Sequence, residues 1–240
     1  MNHEQKRIAM QYQNATNEML VMQNSLNEMT NGIDWRSGKT ALGKTIDWRR
    51  CIVMETAELV DSYPWKHWKA VDAKIDSDNV RVELVDIWHF LLSLTLENLD
   101  SAEALNVLNS ALINSQNTQE SQTVNDGLTV IEQVKIHEEM MRITLEKVEI
   151  TSEYLSRLAV AFFASCKVAE LSFETLYQIY IAKNLLNKFR QDHGYKEGTY
   201  LKEWNGKEDN VVMFEIIEEM TVFSADNLYQ ALKEIYKKLS

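Results

Sequence analysis

The chain has 240 residues, 45% of them hydrophobic, with seven glycines and one proline. Soluble proteins average roughly 7% Gly and 5% Pro, so a β-sandwich or barrel, with a turn about every 8 to 12 positions, is excluded. A formal charge of −11 repels nucleic-acid polymers and leaves room for a small phosphorylated ligand only where cations or a local basic pocket offset it.

Residues 1–10 are polar and lack the apolar core of a signal peptide. Ile8, Tyr12, Ala15, Met19, Met22, Leu26 and Met29 then recur at steps of four and three, the rhythm of a packed helical seam, which Asn31-Gly32 terminates. Residues 33–46 read as a loop. Asp47 is placed to cap a helix from Trp48 to about Ser62, stopped by Pro64. A connector from Trp65 to Ser77 follows, and Asp78 is read as the cap of a third helix, Asn79 to about Leu99, apolar on nearly every side and therefore central.

Beyond it, a helical pattern through Leu105, Leu108 and Leu112 dissolves into the polar stretch Asn114–Gly127, read as a mobile connection or insertion. Periodicity resumes at Leu128 and runs through Tyr154, Leu155, Leu158 and Phe162. Ser172 caps a long helix from Phe173 to about Asp192 that Gly194 ends. Residues 195–210 read as a loop. Two last helices span Val211–Met220 and, after the Ser224 cap, Ala225–Leu239. The sequence therefore predicts an all-α protein, a compact helical bundle forming one domain over 1–240. With no apolar run of 18 residues, no membrane span is expected. Cys51 and Cys166, outside any CxxC, read as buried thiols in a reducing, cytoplasmic setting.

Glu55 and Glu58 interrupt an apolar helix three residues apart, and Glu83 and Asp86 repeat the arrangement on the next helix. At 100° per residue, i and i+3 face the same way. Two apolar helices with a short connector pack antiparallel, which would gather four carboxylates. Such a group in an apolar interior needs compensation, and a hard, oxygen-preferring cation such as Mg²⁺ supplies it. The same spacing also fits the solvated edge of a helix, so the pattern alone leaves both open.

Near the C-terminus Lys183, Asn187 and Arg190 share one helical face, with Lys196 just past the terminating glycine. Arg forks onto phosphate oxygens, Lys adds a point charge and Asn an amide donor; an ordinary solvated face is the other reading. Gln23 and Asn27 on the first helix offer donor and acceptor together, as a nucleobase edge requires. Trp65, Trp68, His89 and Phe90 could wall a flat ring or simply pack a core.

Several segments together resemble one family. They are Ser25-x-x-Glu28, Ile46-Asp-Trp-Arg-Arg-Cys51, Met54-Glu-Thr-Ala-Glu-Leu-Val-Asp-Ser62, Trp65-Lys-His-Trp-Lys69, Val80-Arg-Val-Glu-Leu-Val-Asp-Ile-Trp-His-Phe90, Lys183-Asn-Leu-Leu-Asn-Lys-Phe-Arg-Gln191 and Trp204-Asn-Gly-Lys207. In order and spacing they are similar to the dimeric dUTPases, within the all-α NTP pyrophosphohydrolases. Residues from about 100 to 151 carry no matching motif. The resemblance implies hydrolysis of dUTP, and of dUDP, to dUMP. It assigns two or three Mg²⁺ to Glu55, Glu58, Glu83 and Asp86, with Glu55 or Glu58 taking the proton of the attacking water. It further implies phosphate contacts from Lys183, Asn187, Arg190 and Lys196, base contacts from Gln23, Asn27, Trp68 and His89, and a substrate-closing motif containing Asn205. A cytoplasmic homodimer is expected. The alternative activity is a less selective nucleotide pyrophosphohydrolase acting on dCTP or modified nucleotides.

Overall fold

The computed structural model describes residues 3–117, 127–221 and 223–239. In chain order these hold α1 (His3–Asn31), α2 (Trp48–Asp61), α3 (Ser77–Asn98), α4 (Ser101–Asn117), α5 (Val130–Thr144), α6 (Ser152–Val168) and α7 (Phe173–Asp192). A two-stranded hairpin follows, β1 (Glu203–Trp204) with β2 (Lys207–Glu208), then α8 (Asp209–Glu219) and α9 (Ala225–Tyr236). The fold is all-α, divided into two compact units, Met1–Leu176 and Tyr177–Ser240.

In the first unit α2 and α3 form an antiparallel pair whose direction follows from three contacts. Asn79 donates to the Ser62 hydroxyl at 2.8 Å, Glu83 lies against Glu55 and Glu58, and Phe90 stacks on Trp48 at 6.0 Å. Asp47 caps α2, accepting from the Arg50 amide at 2.9 Å. The cap of α3 is Asp76, accepting from the Asn79 amide at 3.1 Å, rather than Asp78. The helix starts two residues earlier than expected, because either aspartate satisfies a capping pattern and Asp78 instead occupies the first turn, where an anion suits the helix dipole. As its apolar content predicts, α3 is enclosed: Leu84, Val85, Ile87, Trp88, Leu91, Leu92, Leu94 and Leu96 are all buried. Trp88 packs against Phe162 and Phe163 of α6 and donates its indole N–H to the Met19 sulfur at 3.2 Å.

The face that α1 buries is not its expected apolar seam. Met19 and Leu26 are buried, but so are Thr16, Gln23 and Asn27, whereas Met22 and Met29 are half-buried and Ile8 is exposed. The helix is rotated toward the flank that carries Leu20, Gln23 and Asn27, where α3 presents hydrogen-bonding partners. Gly32 ends α1 at φ +102; a Cβ at that position would stand 2.9 Å from the Ala41 Cβ, so only glycine fits. The loop after it is anchored by Trp35, which is buried edge-on to Trp48.

The helix expected through Leu105, Leu108 and Leu112 is α4, which runs on to Asn117, whereas the continuous helix expected from Leu128 is two. Residues 101–117 and 130–144 are helices with buried Ala104, Leu108, Leu112, Val134 and Met140; the unmatched segment is thus largely core, while 118–126 of the expected mobile stretch lie outside the described residues. The helix expected to run on from Leu128 breaks at Leu145. Thr129 opens α5 with a reciprocal capping box to Glu132, and Thr151 opens α6 by accepting from the Tyr154 amide. Arg49 of α2 fastens the intervening turn by donating to the carbonyls of Thr144 and Glu146. Cys166 is buried and Cys51 half-buried, both as free thiols.

The second unit packs around Phe189, with Leu186, Trp204, Val212, Met213, Leu228 and Leu232. Its expected loop contains the hairpin, turned at Asn205-Gly206 with φ of +52 and +82, the paired left-handed conformation of a tight two-residue turn. The last helices begin at Asp209 and end at Tyr236, slightly displaced from expectation. Asp209 is fully buried. It accepts from Arg190 through both oxygens at 2.8 and 2.7 Å and from the Tyr200 hydroxyl at 2.8 Å. Removing one side of such a pair strands the other charge. Asp209→Ala in the full chain is therefore expected to cost about 3–5 kcal/mol, read as lost amide-exchange protection in α8 and α9 while α3 keeps its own.

Candidate active site

Oxygens of Glu55, Glu58 and Glu83 lie within 4.8 Å of one another. The placement follows from the helix pair: Glu55 and Glu58 stand one turn apart on α2, and Glu83 meets them from α3. Glu83 is buried, Glu55 half-buried and Glu58 exposed, so the cluster opens to solvent on one side. Asp86, half-buried one turn along α3, does not join this tight group, although its charge acts on Glu83.

Burial pushes Glu83 up to about 8, and the hydrogen bond with Glu55 and the charges of Asp86, Glu55 and Glu58 reinforce the shift. A proton thus takes the place that a cation would otherwise fill. The donor set, all carboxylate oxygen, suits a hard divalent ion, whose opposed ligands stand about 4 Å apart at Mg²⁺–oxygen distances. These residues fit such an ion. Beside Glu58 opens a cleft of about 390 Å³ lined by Asp61, Tyr63, Lys69, Lys74, Asp76 and Asn79. Lys69 ends the Trp65–Lys69 motif, but neither Lys74 nor Tyr63 was marked by the sequence pattern.

The base-reading candidates divide. Gln23, Asn27 and His89 are buried together with Ser93, which the sequence reading missed. Gln23 Nε2 lies 3.2 Å from Asn27 Oδ1 and 3.1 Å from Ser93 Oγ; Asn27 Nδ2 lies 2.9 Å from the same Oγ. Gln23 Oε1 meets His89 Nδ1 at 2.7 Å. Ser93 is four residues past His89 in an otherwise apolar run, the one signal that could have drawn attention to it. Trp68 takes no part: it is 67% exposed, edge-on to His67 in the connector. Trp65 is also exposed, and Phe90 belongs to the Trp48 stack.

In the second unit Lys183 is buried, Lys196 exposed and Asn187 half-buried. Asn187 Oδ1 accepts from Arg190 Nη1 at 3.0 Å. Arg190 is held by Asp209, a partner that the helical spacing could not reveal because it is 19 residues away. Asn205 is exposed, and its residue type is accounted for by the hairpin turn.

An all-α chain with converging carboxylates suited to a hard cation has the makings of a phosphohydrolase. A family model described as dUTPase matches residues 15–195, well over half of the chain. The chain belongs to this family, the dimeric all-α dUTPases, and is a dUTP diphosphatase. The match includes the acidic cluster, the buried amide network and α7, and ends before Lys196 and Asn205. No curated protein matches the chain. Among the described residues, no helix is long and apolar enough to cross a membrane.

A carboxyl raised in the folded state favours folding fully below its ordinary value and loses that contribution as pH rises through the raised one. Glu83 at about 8, with Glu97 pushed up to about 7 by burial and then by Asp47, places this window between about pH 4.5 and 8. Cation-free protein is thus expected to melt at progressively lower temperature across that window. Adding Mg²⁺ should oppose the fall, and Glu83→Gln should flatten part of it; equal slopes with and without Mg²⁺ would contradict the assignment.

Proposed function

We propose that this dUTP diphosphatase is Mg²⁺-dependent, hydrolyses dUDP as well as dUTP to dUMP, and selects uracil through Asn27 and its buried partners. The observation that carries the reading is the clustering of Glu55, Glu58 and Glu83 within 4.8 Å. Asp86 adds negative charge one turn along and completes the four-carboxylate set that holds two or three ions. When bound, these ions neutralise phosphate charge and make a water nucleophilic near neutral pH.

The chain's own groups do the rest. Glu55, half-buried at the cluster, accepts the proton of the attacking water, with Glu58 the next candidate. The reaction consumes one water per dUTP and releases dUMP and pyrophosphate; from dUDP it releases phosphate. Lys183, Asn187, Arg190 and Lys196 serve as phosphate contacts. In this reading the Asp209 pair keeps the Arg190 guanidinium in one orientation, so fewer rotamers are lost when an anion binds. Asn205 belongs to the closing motif. Trp68, as an exposed ring, serves the base only if substrate binding draws the connector inward.

Placement along α3 supports joining base and phosphate chemistry in one substrate. Asp86, His89 and Ser93 fall within one arc of the helix, and the rise from Asp86 to Ser93 is about 10 Å. A homodimer in the cytoplasm is the expected setting.

Two assays test the reading. Glu55→Gln is expected to keep the wild-type fold and lose about 10²–10⁴-fold in dUTP turnover; robust turnover would remove the acid from the mechanism. Across deoxynucleoside di- and triphosphates with and without Mg²⁺, activity should require the metal and favour dUTP and dUDP. Asn27→Ala should reduce the dUTP-over-dCTP preference by about 1–3 kcal/mol. Comparable wild-type rates on dCTP would favour the less selective pyrophosphohydrolase.

A further inference from the structure

We infer that Ser93 is the positioning residue that locks the Asn27 amide in one orientation and thereby sets uracil over cytosine. The inference rests on the base reading proposed above and adds to it a residue that touches no substrate. Ser93 Oγ is fully buried and makes three bonds: it donates to the His89 carbonyl at 2.9 Å and accepts from Gln23 Nε2 at 3.1 Å and Asn27 Nδ2 at 2.9 Å. A serine hydroxyl has one hydrogen. Spent on the helix carbonyl, it leaves Oγ only as an acceptor, so both amide NH₂ groups must turn toward it.

The consequence propagates through the network. Both N–H groups of Gln23 are committed, one to Ser93 and one to Asn27 Oδ1 at 3.2 Å. Gln23 Oε1 is then necessarily an acceptor, and His89 Nδ1, 2.7 Å away, necessarily carries the proton. Gln23 and Ser93 together form the clamp, and Asn27 is the reader. Beyond these bonds Asn27 retains one N–H and one lone pair on Oδ1.

That pair of groups decides the base. Uracil offers a carbonyl acceptor beside the N3–H donor; cytosine offers an amino donor beside the N3 acceptor. A side-chain amide free to rotate by half a turn satisfies either one, whereas a locked amide satisfies one and leaves the other with two mismatched groups in a buried site, where each is expensive. Discrimination therefore depends on the lock as much as on the reader. Ser93→Ala removes the only described acceptor that the two amides share, while Ser93→Thr keeps the hydroxyl.

The experiment measures kcat/KM for dUTP and dCTP with Mg²⁺ in wild type, Asn27→Ala, Ser93→Ala and Ser93→Thr. It also records the His89 tautomer by ¹⁵N NMR in the ligand-free wild-type protein. The expected result is a dUTP-over-dCTP ratio lowered about tenfold or more by Ser93→Ala, retained in Ser93→Thr, with His89 protonated on Nδ1. If Asn27→Ala collapses the ratio while Ser93→Ala preserves it, the lock is overturned and the base reading stands. If both variants preserve it, the base reading falls and the lock with it. Should Ser93→Ala fail to fold, the tautomer decides: a proton on Nε2 instead of Nδ1 overturns the inference.

Discussion

Three carboxylates held within 4.8 Å on two apolar helices repel one another, and the first unit is organised to contain that repulsion. Ions of one sign brought out of water demand either protons or cations. Without a cation the protein uses a proton, which is why Glu83 rises to about 8 through burial and its acidic neighbours. The packing that imposes this is extensive. α3 buries its own Leu, Ile, Val and Trp side chains, the Phe90–Trp48 stack aligns it with α2, and Arg49 ties α2 to the turn between α5 and α6. The packed pair of helices keeps these like charges together.

The same helix carries a second buried polar feature. Toward its C-terminal half, Ser93 and His89 meet Gln23 and Asn27 of α1 in a network whose hydrogen bonds run in one direction only. Such networks specify orientation because each bond fixes which atom of its neighbour donates and which accepts. They also explain the rotation of α1: satisfying two buried amides outweighs seating Met22 and Met29, whose flexible side chains tolerate partial exposure. The acidic cluster and the buried amide network therefore share one scaffold element, with the acids where α3 meets α2 and the amides where it meets α1.

What could be read from the sequence were features with a local period. The caps at Asp47 and Ser224, the stop near Pro64, the central character of α3 and the acidic pairs all follow from spacing and residue type. The acids were legible because charges in apolar runs have few explanations. Features set by tertiary choice were not. Asp76 and Asp78 are both competent caps, and only the start of the packed helix decides between them. The break at Leu145 lacks a glycine or proline and depends on Arg49, nearly a hundred residues distant. The spacing of Arg190 with Asn187 was visible in the sequence, while its bond to Asp209, 19 residues away, was not. Ser93 was hidden by its size: a serine inside a leucine-rich helix interrupts no pattern, yet its hydroxyl meets both buried amides, Gln23 and Asn27.

The central claim, that the acidic cluster holds divalent cations against a polyphosphate, is tested most directly by calorimetric titration of Mg²⁺ into the protein with a non-hydrolysable dUTP analogue. Metal and analogue should bind with strong mutual enhancement, and Glu83→Gln should abolish the enhancement while leaving the protein folded. Analogue affinity that is indifferent to Mg²⁺, or coupling that survives the Glu83 substitution, would contradict the account.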